Sequence, residues 1–192
     1  MGQRKDTVTV KPFLMDVTEV TADAYAACVR AGGCTAEGLH CNPLATYGVN
    51  GKGNHPINCV DWNQATAYCQ WAGSRLPTEE EWEWMARGQS QGTTYPWGND
   101  APGSQLCWNR GKQGTCAVGS YPAGDAPGGI HDLAGNVWEW TASNFDAAAS
   151  SRVMRGGSFD TADAWGLLAS YRNGYAPTVR LYDLGFRCSR TR

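Results

Sequence analysis

Cysteine has the widest chemical repertoire of any residue type in this sequence, because its thiolate can bind a metal, attack as a nucleophile or form a disulfide. The 192-residue chain contains eight cysteines, spread over almost its whole length. They are Cys28, Cys34, Cys41, Cys59, Cys69, Cys107, Cys116 and Cys188. Their number is even, and no Cys-x-x-Cys element offers clustered zinc ligands. The sequence therefore favours disulfides over a metal centre, and an extracytoplasmic location that is periplasmic, cell-surface or secreted.

Charge and hydropathy exclude two classes of partner. The formal net charge is −2 and the isoelectric point is near 5.9, so no broad basic surface is available to neutralise nucleic-acid phosphates. No stretch approaches the roughly 20 apolar residues that cross a bilayer, so we expect no membrane insertion by this chain. Residues 1–11 have no apolar signal core, and we interpret them as a linker remnant, with a leader or anchor encoded before them.

The elements that position chemistry are predicted by local patterns. Alternation over residues 8–17 predicts a strand, and a helix follows over residues 22–31 with Thr21 as its N-cap. Asp61 is predicted to cap a second helix that ends at Gly73, and Thr78 a third, with Glu81 as its capping-box partner.

Other parts of the chain are predicted to be irregular. Residues 34–53 are predicted to be a loop held by cysteines, and turns and short strands follow Gly88. The chain has 24 Gly, 9 Trp and 8 Tyr, which is typical of aromatic clusters joined by tight loops. These features together predict one α+β domain over residues 12–192, with its helices in the first half and an irregular sheet later.

An ordered series of motifs runs through this domain. It comprises Asn54-His55-Pro56-Ile57, Val60-Asp61-Trp62, Tyr68-Cys69-Gln70-Trp71-Ala72-Gly73, Arg75-Leu76-Pro77-Thr78-Glu79-Glu80-Glu81-Trp82-Glu83, Tyr95-Pro96-Trp97-Gly98, Gly135-Asn136-Val137-Trp138-Glu139-Trp140, Arg155-Gly156-Gly157-Ser158 and Leu184-Gly185-Phe186-Arg187-Cys188. The series closely resembles the formylglycine-generating-enzyme (sulfatase-modifying-factor) superfamily. That resemblance implies an irregular, disulfide-stapled C-type-lectin-like fold with little regular secondary structure, a scaffold shared by enzymes and binding proteins.

The chemistry of the family's catalytic members is not evident here. Those enzymes place two copper-binding cysteines shortly after the Arg-Gly-Gly-Ser motif and oxidise a cysteine of a client sulfatase. The matching residues 159–168 contain no sulfur, and Thr161 stands near the first cysteine position, so no copper is expected. A related branch holds iron with histidines, but His40, His55 and His131 are scattered along this chain.

The resemblance also concerns disulfides. Cys69 and Cys188 match a structural disulfide of the family, whereas a second family pair would fall at Met85 and about Ala169 and is absent. Cys107 and Cys116 are close in sequence and are predicted to close a local loop. The remaining four cysteines leave three possible pairings.

A calcium loop is the cofactor site that the resemblance implies. Its oxygen ligands would be the side chains of Asp132 and Glu139 and the carbonyls of Gly135 and Val137, which are ligand types that calcium accepts. The role of the ion would be to fix the loop. The alternative is that Glu139 pairs with an arginine and that Asp132 caps a turn. A second calcium site of the family is predicted to be replaced by the region between Cys107 and Cys116.

The last quarter of the chain is the candidate ligand-binding surface. Aromatic, small and polar residues alternate there between framework motifs, a composition typical of adaptable binding surfaces. The candidate ligand contacts are Phe159, Asp160, Thr161, Asp163, Trp165, Tyr171, Asn173, Tyr175, Leu181 and Tyr182. The alternative for Trp165 and Leu168 is that they fill the core.

The framework around these residues also resembles the variable region of diversity-generating-retroelement proteins, which are non-enzymatic ligand binders. Those proteins are diversified at asparagine codons, and most residue types in residues 159–183 are compatible with that process. Trp165 is not, because tryptophan cannot arise from an asparagine codon that ends in a pyrimidine. Diversification therefore stays a hypothesis.

Three hypotheses for function follow. The first is a non-catalytic domain that binds a protein or other surface ligand through residues 159–183. The second is an enzyme of unidentified chemistry, in which Asp160, Asp163, Arg172 and Arg180 line a closed pocket. The third is a purely structural module of a larger protein.

Overall fold

A computed structural model describes residues 8–192 of the chain. The helices are α1 (Ala22–Arg30), α2 (Trp62–Trp71) and α3 (Glu79–Ala86). The strands are β1 (Phe13–Met15), β2 (Trp138–Asn144), β3 (Arg152–Arg155), β4 (Arg172–Tyr175), β5 (Leu184–Gly185) and β6 (Ser189–Thr191). The predicted mixed α+β class with early helices and a late irregular sheet is confirmed. Residues 1–7 of the predicted linker remnant lie outside the described residues, so the boundary of the remnant stays a prediction.

The three predicted helix starts are confirmed by their caps. Thr21 accepts a hydrogen bond from the Ala24 amide at 3.2 Å, and both Asp61 and Thr78 form capping boxes, with Gln64 and Glu81 as partners. These bonds satisfy amide groups that the first helical turn leaves unpaired. Within residues 8–192, no helix is long and apolar enough to cross a membrane.

The first strand is shorter than the pattern predicted. Only Phe13–Met15 pairs, in an antiparallel register with β6. Because β6 offers three residues, the rest of the alternating segment has no partner strand, and Asp16 already turns to bond the Cys188 amide through its carboxylate at 3.0 Å. The prediction of a strand over residues 8–17 was therefore wrong in extent.

The main sheet has the order β4-β3-β2-β5. Strands β2, β3 and β4 are antiparallel neighbours, whereas β5 runs parallel to β2. Strand β4 pairs only with β3 and therefore forms an edge of this sheet. The candidate ligand-binding segment supplies this edge strand.

The core packs against both faces of the sheet. On one face, Trp140 and Met154 belong to the cluster that contains Tyr25 of α1 and Tyr68 of α2. Trp82 of α3 donates from its indole to Glu139, which precedes Trp140 on β2. Since neighbouring residues of a strand point to opposite faces, α3 covers the other side.

Four disulfides fix the irregular parts. The predicted bonds Cys69–Cys188 and Cys107–Cys116 are confirmed, and the open pairings are resolved as Cys28–Cys34 and Cys41–Cys59. The latter two brace the loop over residues 34–53, as its composition indicated. All eight cysteines are paired, which indicates an oxidising, extracytoplasmic environment.

Candidate ligand-binding face

Residues 159–183, which we call the candidate face, are anchored by Arg155 of β3, which lies in the core. Its buried guanidinium donates to Glu83 at 2.5 Å, to the Ala169 carbonyl at 3.0 Å and to the Tyr171 carbonyl. Charge-assisted bonds to backbone carbonyls hold the main chain in one position. Gly157 lies two residues before the candidate face and has φ +73°, and a side chain there would meet the Gly166 carbonyl at 2.9 Å. Only glycine suits this turn.

Two further arginines tie the candidate face to the starts of helices. Arg172 binds both carboxylate oxygens of Glu79, at 2.7 and 2.8 Å. Arg180 pairs with the α2 cap Asp61 at 2.6 Å and also donates to Gln64. Both arginines were named as pocket residues in the enzyme hypothesis. The structure engages them in ion pairs with residues outside the segment and does not bring them together with Asp160 and Asp163.

The candidate ligand contacts differ in exposure. Asp160, Asp163, Trp165 and Tyr175 are exposed, and Trp165 has 55% of its surface accessible. The half-buried members are Thr161, Tyr171, Asn173, Leu181 and Tyr182. The alternative that Trp165 fills the core is therefore contradicted, whereas Leu168 is partly buried against a small apolar cluster.

Phe159 was named as a ligand contact, and that assignment needs correction. Its side chain is fully buried and packs with Cys107 and Cys116. A side chain without accessible surface supports the face and cannot contact a ligand. The alternation of aromatic and polar residues does not distinguish these two roles, because the cluster under Phe159 is formed by a loop more than forty residues earlier.

One half of the face is an aromatic corner formed by Trp165 and Tyr171. Trp165 lies in a single 3-10 turn over Ala164–Leu167. Its ring meets that of Tyr171 edge to face, with centroids 4.8 Å apart, and Tyr171 lies in turn against Trp138 at 6.0 Å. The corner is thereby fixed to the start of β2.

The other half centres on Tyr182, whose hydroxyl donates to Asp160 at 2.6 Å. This hydrogen bond raises the pKa of Tyr182 to about 12, because the carboxylate stabilises the neutral phenol. The loop closed by Cys107 and Cys116 lies alongside: the Arg110 amide donates to the Phe159 carbonyl at 2.7 Å. The sequence analysis missed Arg110 as a neighbour of the face.

The sheet edge adds two residues that the sequence analysis also missed. The antiparallel register places Arg152 opposite Tyr175 on the same side of the sheet. The Arg152 guanidinium lies 4.2 Å from the ring centroid of Trp62, the first residue of α2. These contacts depend on strand register, which the local sequence does not encode.

Thr161, which the family resemblance places near the first catalytic cysteine position, is held by local contacts. The Thr161 hydroxyl accepts from the Ser158 amide at 2.9 Å. The Thr161 methyl would lie 2.8 Å from a side chain at Gly166.

Both carboxylates of the predicted calcium loop accept hydrogen bonds from other residues. Asp132 accepts the Gly119 amide at 2.6 Å. Glu139 accepts from Arg187 through both oxygens at 2.8 Å and from the Trp82 indole at 2.9 Å. Its Oε1 accepts only one of these bonds and keeps a lone pair for a ligand.

Glu19 adds a buried carboxylate to this loop. Neither of its oxygens has a hydrogen-bond partner within the described residues. Burial, reinforced by Asp132, raises the pKa of Glu19 well above its ordinary value. Glu19, Asp132 and Glu139 all interact with one guanidinium, that of Arg187, and a cation bound in the loop would replace the proton that the raised pKa keeps on Glu19. The donor types fit calcium, although Arg187 already neutralises Glu139.

The histidines do not assemble a metal centre. His55 bonds the Thr115 hydroxyl at 2.8 Å, His131 bonds Asp125 at 2.8 Å, and His40 lies against Tyr47. Across residues 8–192, no group of three His, Cys, Asp or Glu side chains has metal-binding geometry. The three histidines therefore have separate structural contacts.

Two cavities lie away from the candidate face. One, of about 670 Å³, is lined by Asp23 and by residues of the 46–54 loop, and the other, of about 310 Å³, lies between β1, α2 and Arg190. Neither is lined by a residue of 159–183.

Comparison with known proteins agrees with this architecture. The bovine (Bos taurus) "Inactive C-alpha-formylglycine-generating enzyme 2" is 42% identical over 158 residues, which cover 74% of this chain and 52% of that protein. The "Formylglycine-generating enzyme" of Streptomyces coelicolor is 30% identical over an alignment of 252 positions, gaps included, which covers 95% of this chain and 79% of that protein. The chain spans about half the length of the mammalian inactive relatives.

Solved structures share the fold. PvdO from Pseudomonas aeruginosa superposes with a TM-score of 0.78 at 24% identity, covering 97% of this chain and 83% of that one. Treponema denticola variable protein 1 superposes with a TM-score of 0.72 at 22% identity, covering 94% and 84%. The family described as "Sulfatase-modifying factor enzyme 1-like domain" matches residues 2–192. The chain is thus a member of the sulfatase-modifying-factor (formylglycine-generating-enzyme) family with a C-type-lectin-like fold.

Proposed function

We propose that this chain is a non-catalytic ligand-binding domain and that its ligand, a protein or another surface ligand, contacts the candidate face. The observation that carries the proposal is that the backbone of the candidate face is fixed while some of its aromatic side chains are exposed. The backbone of the face is anchored by Arg155, Arg172 and Arg180, whereas Trp165 and Tyr175 project with 55% and 41% of their surfaces exposed. Rigid aromatic anchors on a fixed backbone bind ligands at low entropic expense.

The chemistry of the face supports binding over catalysis. Thr161 stands near the position at which the family's catalytic members carry a thiolate, and the arginines of the enzyme hypothesis are engaged in ion pairs. The relative named as inactive is an example of a family member described without activity. The fold of a variable protein is consistent with a scaffold that carries an exchangeable surface. Diversification by a retroelement remains a hypothesis, which Trp165 does not favour.

We also propose that the loop of Asp132, Gly135, Val137 and Glu139 holds a structural calcium ion. Bound there, calcium would supply positive charge beside buried carboxylates and fix the loop that precedes β2. The buried, unpartnered carboxylate of Glu19 supports this proposal.

Peptide selection tests the binding function. The purified domain is used to select binders from a phage-displayed library of random peptides, and the selected peptides are then measured against Trp165→Ala and Tyr175→Ala. We expect each substitution to weaken binding by tenfold or more, which corresponds to about 1.4 kcal/mol, typical of a central aromatic contact. Trp84→Ala is the matched control, because Trp84 is 41% exposed on α3 outside the face.

Two outcomes would contradict the proposal. Peptides that bind both face variants as well as the unaltered domain would place the binding site elsewhere. Formation of a hydrazide-reactive aldehyde on a sulfatase-derived cysteine peptide incubated with the domain and copper would establish catalysis instead.

A further inference from the structure

The charges of the candidate face are not balanced within the described chain. Its two cations are paired, since Arg172 binds Glu79 and Arg180 binds Asp61. Its three carboxylates, by contrast, form no ion pair with any residue that the structure describes. The groups that remain available to a ligand are therefore acidic. The three carboxylates are Asp160, Asp163 and Asp183.

Only one of these carboxylates is unengaged. Asp160 accepts the Tyr182 hydroxyl and lies next to the loop that carries Arg110 and Lys112. Asp183 is half-buried and accepts from Ser158 at 2.9 Å. Asp163 is exposed, its side chain does not cap the 3-10 turn that it precedes, and its carboxylate accepts no hydrogen bond from a described residue.

The aromatic corner next to Asp163 is likewise free of cations. Three arginines lie over aromatic rings in the structure, on Trp62, Trp82 and Phe145. No arginine or lysine of the described residues lies over Trp165 or Tyr171, although Trp165 is the most exposed tryptophan of the described residues. Its ring is therefore accessible to a cation from outside the chain.

We infer, on the basis of the ligand-binding function proposed above, that Asp163, Trp165 and Tyr171 form a subsite for a lysine or arginine side chain of a protein ligand. The carboxylate supplies the opposite charge, and the indole face supplies an electron-rich surface that attracts cations. Asp163 immediately precedes the short turn that contains Trp165, and both side chains are exposed, so one ligand cation would meet the carboxylate and the indole together. An uncharged ligand side chain of the same shape would form neither the ion pair with Asp163 nor the cation–π contact with Trp165.

A pair of isosteric probes tests this subsite. The domain with 15N-labelled tryptophan is titrated with N-acetyl-arginine amide and, separately, with N-acetyl-citrulline amide, which has nearly the same shape and no charge. We expect the Trp165 indole resonance to move with the arginine probe and to stay unchanged with citrulline. Asp163→Asn should weaken arginine binding about threefold, as one exposed ion pair or cation–π contact does. Asp100→Asn, which removes an exposed carboxylate outside the face, should leave it unchanged.

The outcomes separate this inference from the function on which it rests. Equal shifts with arginine and citrulline, no shift with either, or unaltered arginine binding by Asp163→Asn would overturn the cationic subsite. The peptide selection can still require Trp165 in that case, and the binding function would stand without the charge preference. Selected peptides that ignore Trp165→Ala would instead refute the binding function itself.

Discussion

The disulfide between Cys69 and Cys188 ties α2 to the residue before β6, and its removal gives the most quantitative test of how this fold is held. The two cysteines are separated by 119 positions, whereas Cys28 and Cys34 are separated by 6. In the chain-entropy description, closing these loops restricts the unfolded chain by about 4.9 and about 2.2 kcal/mol at 25 °C. We therefore predict that Cys69→Ala/Cys188→Ala loses about 2.7 kcal/mol more stability than Cys28→Ala/Cys34→Ala.

The measurement is guanidinium denaturation of the two double variants and the unaltered domain, followed by tryptophan fluorescence and by circular dichroism. Coincident transitions by both probes justify two-state free energies. Because a domain is stabilised by about 5–15 kcal/mol in total, the long-range variant should lose about a third or more of its stability. Equal losses by the two variants, or a larger loss from the short loop, would refute the chain-entropy reasoning for this domain.

Three further predictions concern bound calcium and two titrating groups. Calcium at one hundred times its dissociation constant should stabilise the domain by about 2.7 kcal/mol and raise its melting temperature by about 5–11 °C. Asp132→Asn should reduce this shift in melting temperature. Identical melting temperatures in calcium and in chelator would contradict the calcium site. Asp160→Asn should lower the pKa of Tyr182 from about 12 towards its ordinary value, seen as tyrosinate absorbance that is absent in Tyr182→Phe. Burial lowers the pKa of His55 to about 4, so the unfolded chain takes up a proton first as pH falls below about 6.5. Between about pH 6.5 and 4, the free energy of unfolding should therefore decrease less in His55→Gln than in the unaltered domain. An equal decrease in both proteins would show that His55 does not contribute to the acid sensitivity.

Local signals explain which parts of the fold the sequence could predict. The caps at Thr21, Asp61 and Thr78 lie within three residues of the amides that they satisfy, so a short window of sequence contains the whole interaction. The strand over residues 8–17 was overestimated because its length is set by β6, which lies about 175 positions later. Alternation indicates that a segment can form a strand, but it does not indicate how many of its residues will pair with a neighbouring strand.

The candidate face shows the same division between local and distant information. Its composition identified the exposed residues Trp165 and Tyr175, because binding residues combine aromatic and polar types. It also included Phe159, whose burial depends on the distant loop closed by Cys107 and Cys116. Arg152 was missed for a related reason, since its place beside Tyr175 follows from strand register.

The absence of cysteine from residues 159–168 is compatible with a functional domain because the buried residues that hold the fold and the exposed residues of the candidate face are different. Arg155 and Arg187 are buried and bind carboxylates and backbone carbonyls beneath the surface, so replacing either would leave buried groups unpaired at a substantial energetic cost. Exposed residues such as Asp163 and Trp165 support no such network, and substitutions at positions of this kind usually change stability by less than about 0.5 kcal/mol. The chemistry of the surface can therefore vary while the fold beneath it stays the same.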